Sequence, residues 1–518
     1  MGSTAEPVGL GFGALVLLSV YLLSNLLIGF FAYRSGETWK ARDYFLGGKT
    51  TGAVVLFFVM LATKFSGNTF FGLPGQAYRI GLMSVMLIPF ILAITLGLLS
   101  YAPRLYVLSK KYDYLTPADF FADRFQSRSL RLVVACFLIL TVIPYLMIQT
   151  TGMGHAFVGF TDGQYSFTTG VVYISTVMLG YVLLSGWRGV VWAEVLQGSL
   201  LLGSIVVAAV VLVSAQGGIA NVIRQAVEIA PEKVAVTDSY AGLTRSYFLY
   251  ALVFGLGGSM YPQIIQSVYA AKTERALRRS VAMMVPNYFL IMLCVVFIGL
   301  VGIIRLQGLE TIQADQILGH LLGQHITHLY WVVVLVFVGA AAAIMSTAAG
   351  VLLTLSSMLT HDVYRHFFRP QASEDEIAKA GRIFTVLILL VVMALSLKPI
   401  TTLWQLTIIK FEFLMQLYLP LILGLYWSRF SCKAAFVGIM VGTLGVVSML
   451  LFGWQHIWIF EAGLVGVVLN ACGCIGVTML AAPNAAEQER VHERFFDLFD
   501  QARSPRSIEQ GIRPGMSS

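Results

Sequence analysis

Residues 62–75 read ATKFSGNTFFGLPG and place glycines, a proline, a lysine and small polar residues inside an apolar run. A second interruption, GLGGSMYPQ, occupies residues 255–263 of another apolar run. Transporters place their sites where helices break near mid-membrane, because freed carbonyls bind cations and helix N-termini favour anions. The two segments therefore predict a membrane carrier. The alternative interpretation is that their small residues only allow close helix packing.

The composition is typical of a chain that lies mostly inside a membrane. Of its 518 residues, 58% are hydrophobic and 12% are charged, whereas a soluble domain carries about 25% charged residues. Apolar runs of membrane-crossing length recur, so we predict an all-α integral membrane fold with about thirteen transmembrane helices. The predicted spans are 8–33, 52–78, 80–103, 131–153, 168–187, 189–215, 246–269, 281–304, 327–360, 383–397, 399–427, 434–453 and 457–481.

Lysine and arginine orient these spans. With the N-terminus outside, the inside loops hold 21 of these residues and the outside loops hold six, as the positive-inside rule requires. The net charge of +8 is therefore a topology signal, and nucleic acid is not predicted as a partner. The two interruptions lie five spans apart and cross in opposite directions, as an inverted five-helix repeat with broken first and sixth core helices requires.

The predicted domains follow from this topology. Residues 1–481 form the transmembrane transporter domain, with core repeats at about 52–215 and 246–427, and 482–518 form a cytoplasmic polar tail. Within the tail, 491–499 has amphipathic helical spacing, which predicts a helix on the membrane surface or packed on the protein. The last dozen residues are predicted to be disordered. No soluble catalytic domain, nucleophile constellation or metal-ligand spacing is visible, so we do not predict an enzyme.

Four ionisable residues fall well inside spans: Lys64, Glu194, Lys410 and Glu412. Each costs about 2.5–3.5 kcal/mol at the bilayer centre, so such residues pair or line a wet cavity. We predict that Lys64 pairs with Glu194 and that Glu412 lies at the solute site. The alternative is a buried ion pair that sets helix register.

Several motifs resemble those of the sodium:solute symporter family, to which proline, pantothenate, glucose and sialic acid carriers belong. The resemblance runs in order over residues 8–480. Its motifs are DYFLGG at 43–48, GLPGQAY at 72–78, LTPADFFADRF at 115–125, QIIQ at 263–266, AAKTERA at 270–276, MST at 345–347 and GLYW at 424–427.

The resemblance implies a multi-pass plasma-membrane protein that works by alternating access driven by a sodium gradient. It implies a sodium site formed by three backbone carbonyls and two hydroxyls. These belong to Ala62, Phe65, Ala343, Ser346 and Thr347. By their residue types alone, the two hydroxyls suit sodium or bond the preceding turn of their own helix. The implied solute contacts are Ser66, Gly67, Asn68, Phe70, Gly258, Ser259, Gln263, Glu412 and Gln416.

One position departs from the family. Relatives carry Asp or Asn where this chain has Lys64, whereas Glu194 stands where they carry Asp in a cation path. Lys64 and Glu194 are therefore the predicted coupling residues. Three hypotheses remain open: Lys64 points away and leaves sodium coupling intact, it replaces the ion and couples transport to protons through Glu194, or it holds an anionic part of the substrate.

Together these features predict a cation-coupled symporter that imports a small polar solute, an organic acid or an amino acid. Sodium is the expected coupling ion, with the proton as the alternative, and no other cofactor is expected. The expected partners are the small-molecule substrate and membrane lipid, and the oligomeric state stays open. The competing class is a transporter-like solute sensor working with a separate signalling partner. A channel is disfavoured because no repeated filter segment or ring of charges is visible.

Overall fold

The computed structural model describes residues 12–34, 51–234, 241–325, 329–398, 401–454, 456–457, 460–480 and 485–499. These ranges are almost wholly helical. The motif at 43–48 and the last dozen residues lie outside them.

The helices are labelled in chain order. Up to residue 234 they are α1 Phe12–Arg34, α2 Ala53–Lys64, α3 Gly67–Phe70, α4 Gly72–Ile80, α5 Leu87–Lys111, α6 Pro117–Phe125, α7 Arg128–Phe160, α8 Phe167–Ala215, α9 Ile219–Ile229 and α10 Pro231–Val234. From residue 241 on they are α11 Ala241–Ser259, α12 Pro262–Ala270, α13 Glu274–Arg305, α14 Ile317–His325, α15 Tyr330–Met358, α16 Glu374–Ser396, α17 Leu403–Leu414, α18 Tyr418–Tyr426, α19 Cys432–Leu451, α20 Ala462–Leu480 and α21 Ala485–Val491. Short 3-10 or π turns and one hairpin complete the fold: Gly81–Met86, Gln313–Gln316, Leu359–Phe368, Met415–Leu417, His492–Phe496, and β1 His456–Ile457 paired with β2 Phe460–Glu461.

The predicted membrane architecture is confirmed in outline. In the described part of the chain, nine helices are long and apolar enough to cross a membrane, and four shorter ones are apolar. The predicted spans 168–187 and 189–215 both fall within α8, which is helical over 49 residues and would rise about 74 Å if straight, enough for two crossings. The number of thirteen spans stays a prediction.

The first predicted break is present. Helix α2 ends at Lys64, Phe65 and Ser66 are extended, and α3 begins at Gly67 with Ser66 as its N-cap. A broken helix exposes backbone polar groups that the membrane interior cannot satisfy. Helix α7 satisfies two of them: the Tyr145 hydroxyl donates to the Thr63 carbonyl, and Gln149 Oε1 accepts from the Gly67 N–H at 3.0 Å.

The second predicted break is also present. Helix α11 ends at Ser259, and α12 restarts with Pro262 at its first position, where the missing N–H of proline costs nothing. Close packing also operates here: a Cβ on Gly257 would lie 2.4 Å from the Phe411 carbonyl oxygen. Gly257 permits close packing of α11 against α17, and the helix breaks three residues later. The segment therefore serves both helix packing and the interruption, as the two interpretations proposed.

The two broken helices lie side by side. The Thr51 N–H donates to the Ala270 carbonyl at 3.2 Å, and the Lys272 N–H donates to the Thr51 carbonyl at 2.9 Å. The start of α2 therefore meets the end of α12, so the two helices run in opposite directions. This is the arrangement that an inverted repeat requires, although the repeat itself stays a prediction.

The polar tail packs on the protein, which is one of its two predicted positions. Val491, Phe495 and Phe499 follow one face of α21 and the turn after it, and they are 0%, 1% and 6% exposed. Phe495 meets the rings of Tyr112 and Phe120. The tail thus covers the loop helix α6.

Candidate functional site

A narrow cavity lies between the two breaks. It measures about 30 Å³, which holds about two or three waters at about 10–15 Å³ each. A solute therefore requires the walls to move apart. The lining residues are Lys64, Phe65, Ser66, Asn68, Thr69, Leu73, Leu87, Ile91, Ile94, Tyr145, Phe254, Tyr261, Met292, Thr407, Lys410 and Phe411.

The predicted cation ligands of α2 and α15 come together beside the first break. Thr347 Oγ1 donates to the Ala62 carbonyl at 2.7 Å. Ser346 Oγ lies 3.0 Å from the Ala343 carbonyl oxygen and 3.4 Å from that of Ala62. All four residues are fully buried. Phe65 follows the end of α2 and lines the cavity. Carbonyls and hydroxyls at an unwound helix are the oxygen donors that sodium takes in transporters, so these residues fit the ion.

Lys64 points toward a different helix from these ligands. Its Nζ donates to the Tyr288 hydroxyl of α13 at 2.6 Å and lies 5.1 Å from the centre of that ring. Among the described residues, no carboxylate reaches this ammonium. The predicted ion pair with Glu194 is therefore wrong, because the side chain of Lys64 is directed toward α13.

Glu194 of α8 lies against Gly350, which is one helical turn beyond Ser346 on α15. Its Oε1 is 3.7 Å from the Cβ position at Gly350. Gly350 follows Ser346 and Thr347 by four and three residues, so the three positions share a helix face. Glu194 is 2% exposed, and its Oε2 has no hydrogen-bond partner among the described residues. The structure thus places a buried acid near the candidate ion site.

The sequence predicts an intramembrane charge at Lys410 but assigns this residue no role in the site. It is 2% exposed and lines the cavity. Its Nζ lies 3.7 Å from the centre of the Tyr145 ring, 5.1 Å from that of Tyr261 and 4.9 Å from that of Phe411. These distances are typical of cation–π contacts.

The predicted solute residues divide into two groups, the first of which lies at the cavity. Ser66 and Asn68 line it. Gly258 lies behind it, because a Cβ there would meet the cavity residues Ile94 and Phe411.

The second group is directed elsewhere or buried behind the cavity. The Gly67 N–H is bonded to Gln149, and Phe70 is fully buried beside Phe71. The Ser259 carbonyl accepts from Tyr101. Gln263 is 2% exposed, and both of its amide atoms lack a partner among the described residues. None of these residues is among those that line the cavity in the described part of the chain.

Glu412 and Gln416 face helix α20 instead of the cavity. Gln416 Nε2 donates to the Gly463 carbonyl at 3.0 Å, and Glu412 packs against the same glycine. The reason is helical periodicity: positions 407, 410 and 411 share one face of α17, and 412 turns away from it.

The sequence did not assign eleven other lining residues to the site, and five of these reach it from α7, α13, α17 and the second break. Tyr261 falls inside the quoted segment 255–263, whereas the other four carry no local signal. Tyr145 stacks on Tyr261 with ring centres 4.7 Å apart, a contact between distant parts of the chain. The five residues are Tyr145, Tyr261, Met292, Thr407 and Phe411.

A second buried group of charges surrounds α6. Asp119 Oδ2 accepts from the N–H groups of Leu115 and Thr116 at 2.8 and 2.9 Å, and its Oδ1 lies 2.8 Å from Arg131 Nη1. Arg131 also meets Asp362 Oδ1 at 3.0 Å, and His361 lies 3.4 Å from that oxygen. Burial opposes the charge of Asp119, but His361, Arg131 and the backbone N–H groups together lower its pKa. His361 and the two acids have metal-ligand spacing, but Arg131 bridges the carboxylates as the counter-charge.

The same loop helix connects two of the quoted motifs. Arg124 is fully buried, and its guanidinium donates to backbone carbonyls in the last turn of α18 and just after it, at 3.0–3.2 Å. Asp123 accepts from the Tyr114 hydroxyl at 2.6 Å and meets Arg494 of the tail at 2.8 Å. The motif at 115–125 thus joins the helix that ends in GLYW to the tail.

Comparisons with known proteins show which family the chain resembles. The model of the sodium:solute symporter family matches residues 44–442. The sodium/proline symporter of Escherichia coli (strain K12) is 27% identical over 491 residues, covering 92% of this chain and 95% of that protein. The sodium/pantothenate symporter of the same strain is 26% identical over 434 residues, covering 82% and 88%.

Solved structures share the fold. A Na⁺-coupled sialic acid symporter, in a substrate-bound outward-open state, matches with a TM-score of 0.76 at 21% identity, covering 92% of this chain and 99% of that one. Mhp1, a transporter of the nucleobase-cation-symport-1 family, matches with a TM-score of 0.54 at 14% identity, covering 87% and 97%.

Proposed function

Because this chain belongs to the sodium:solute symporter family, we propose that it takes up a small organic acid or amino acid at the central cavity, with sodium held beside the first break. The coarser statement follows from the family and its relatives: the chain is a sodium-coupled symporter of a small solute. The observation that carries the finer proposal is the contact of Thr347 and Ser346 with the Ala62 carbonyl, at the point where α2 ends.

The candidate ion ligands connect the parts that must move. Ala62 belongs to a broken helix, whereas Ala343, Ser346 and Thr347 belong to the continuous helix α15. An ion held by both sets of oxygens supplies attraction between the two helices, and losing it frees α2 to move. Since the first break also lines the cavity, ion and solute occupancy act on the same segment. This coupling is what alternating access requires.

Lys64 is compatible with sodium coupling in this arrangement. Its ammonium donates to Tyr288, so it does not occupy the position between Ala62 and Thr347. Glu194, near Gly350, is placed to attract a cation toward the same face of α15. We propose that Glu194 assists cation passage and that Lys64 belongs to the solute cavity.

The test needs no knowledge of the solute. Sodium that binds only the folded protein raises its melting temperature by mass action. We expect a rise in sodium chloride over choline chloride at equal ionic strength. The double variant Ser346→Ala, Thr347→Ala should weaken the apparent sodium affinity at least tenfold. Ser356→Ala is the matched control, because its hydroxyl lies on the same helix but donates to the Gly381 carbonyl.

Two outcomes would contradict the proposal. Unchanged sodium affinity in the double variant would remove the hydroxyls from the ion site. The second is solute uptake into proteoliposomes that is driven by a pH gradient alone and is lost in Glu194→Gln. This result would mean that protons, and not sodium, drive transport.

A further inference from the structure

Two ammonium groups share the central cavity. Lys64 is held by a neutral hydroxyl, that of Tyr288, and Lys410 lies on the faces of neutral aromatic rings. The described residues that line the cavity include no aspartate or glutamate. Within the described part of the chain, the cavity is therefore lined by two lysine side chains and by no carboxylate that could pair with them.

The nearby buried glutamates face other helices. Glu194 lies against Gly350 of α15, and Glu412 lies against Gly463 of α20. In the described structure neither acid forms an ion pair with a cavity lysine. Charges inside a membrane protein usually pair with one another or mark the path of a substrate. Since internal pairing is not observed here, the counter-charge is expected to come from what the cavity binds.

We propose that the transported solute is a small organic acid without an ammonium group, whose carboxylate is held by Lys64 and Lys410. This inference rests on the proposed function, because it names the solute of the same site. It excludes amino acids, which the broader proposal still includes.

The exclusion follows from like-charge repulsion. An amino acid would bring its own ammonium group into a narrow, water-poor cavity that already holds two. Repulsion between like charges is far stronger there than in water. A hydroxy acid or an unsubstituted acid has the same carboxylate and avoids this repulsion.

The remaining walls fit the rest of such a molecule. Phe254, Tyr261, Phe411 and Met292 form an apolar side, and Asn68 and Thr407 offer an amide and a hydroxyl. A short carbon skeleton suits the first group and a hydroxyl substituent suits the second. The carboxylate would lie beside the two lysines, and the aromatic side chains would contact the carbon skeleton.

The experiment compares solutes that differ at one position. The pairs are lactate with alanine, succinate with aspartate, and cyclopentanecarboxylate with proline; in each, an ammonium group replaces a hydroxyl, a hydrogen or a methylene. Binding to the purified full-length protein is measured in sodium buffer by the shift in melting temperature. We expect at least one acid to bind, and at least tenfold more tightly than its amino-acid partner. An amino acid that binds as tightly as its acid, or no binding by any of the three acids, would overturn the inference.

Charge removal at the lysines gives the second readout. Lys410→Gln and Lys64→Gln should each weaken acid binding at least tenfold, whereas Lys410→Arg should retain part of it. Lys111→Gln is the control, because this lysine is exposed and outside the cavity. Each variant must keep the sodium-induced shift, which shows that it is folded. Amino-acid binding with an intact sodium response overturns only the solute class, whereas loss of the sodium response in the unaltered protein overturns the proposed function.

Discussion

The central cavity and the charged group around α6 differ in how their buried charged side chains are paired. Around α6, Arg131 lies between two carboxylates, and Asp119 has two further backbone donors. In the cavity, Lys64 and Lys410 meet only hydroxyl and aromatic partners among the described residues. The first group is therefore complete without a ligand and holds the loop helix in place, whereas we expect the lysines of the second to be paired by the bound solute.

Disrupting the charged group around α6 should lower the melting temperature more than any other change proposed below. Arg131→Met leaves the carboxylates of Asp119 and Asp362 buried without their shared counter-charge. Removing one member of a buried ion pair costs about 3–5 kcal/mol, so the melting temperature should fall steeply with or without solute. Arg128→Met, at an exposed arginine in the same helix, should change it little. An equal response of the two variants would mean that the pairing around Arg131 contributes no stability.

A change of opposite sign is expected in the cavity. Lys410→Met exchanges an unpaired ammonium for an apolar chain of similar length. The cost of an intramembrane charge is about 2.5–3.5 kcal/mol, and the lost cation–π contact offsets about 1–2 kcal/mol of it. The melting temperature without solute should therefore rise. Lys111→Met serves as the exposed comparison, and destabilisation by Lys410→Met would show that this lysine is held by partners as complete as those of Arg131.

The smallest expected effect concerns the edge of the complete group. Arg494 meets Asp123 while 39% of its side chain remains exposed. Solvent screening reduces such a pair to about 1 kcal/mol or less. Arg494→Ala should lower the melting temperature slightly and speed proteolysis within the tail. Glu493→Ala, at an exposed neighbour, should leave the cleavage rate unchanged, and equal rates in the two variants would remove Arg494 from tail docking.

The two helix breaks can be predicted from the sequence more easily than the residues that contact them. Glycine, proline and polar residues inside an apolar run are a local signal, and both interruptions were predicted from it. The partner of Lys64 could not be predicted, because Tyr288 is 224 residues away in the sequence and nothing near position 64 indicates it. The resemblance places Glu412 at the solute site only to within a residue or two, and each residue turns a helix by about 100°, so the sequence does not decide which face of α17 meets the cavity. The hydroxyls of Ser346 and Thr347 depended on the family resemblance.

The docked tail has a consequence for synthesis. The ribosome makes α6, which ends at Phe125, long before it makes the residues that cover it, from Val491 to Phe499. Until then the rings of Tyr112 and Phe120 and the carboxylate of Asp123 lack the tail residues that contact them. A message that ends early yields a chain with this patch uncovered. The exposure of one loop helix thus distinguishes an unfinished molecule from a finished one.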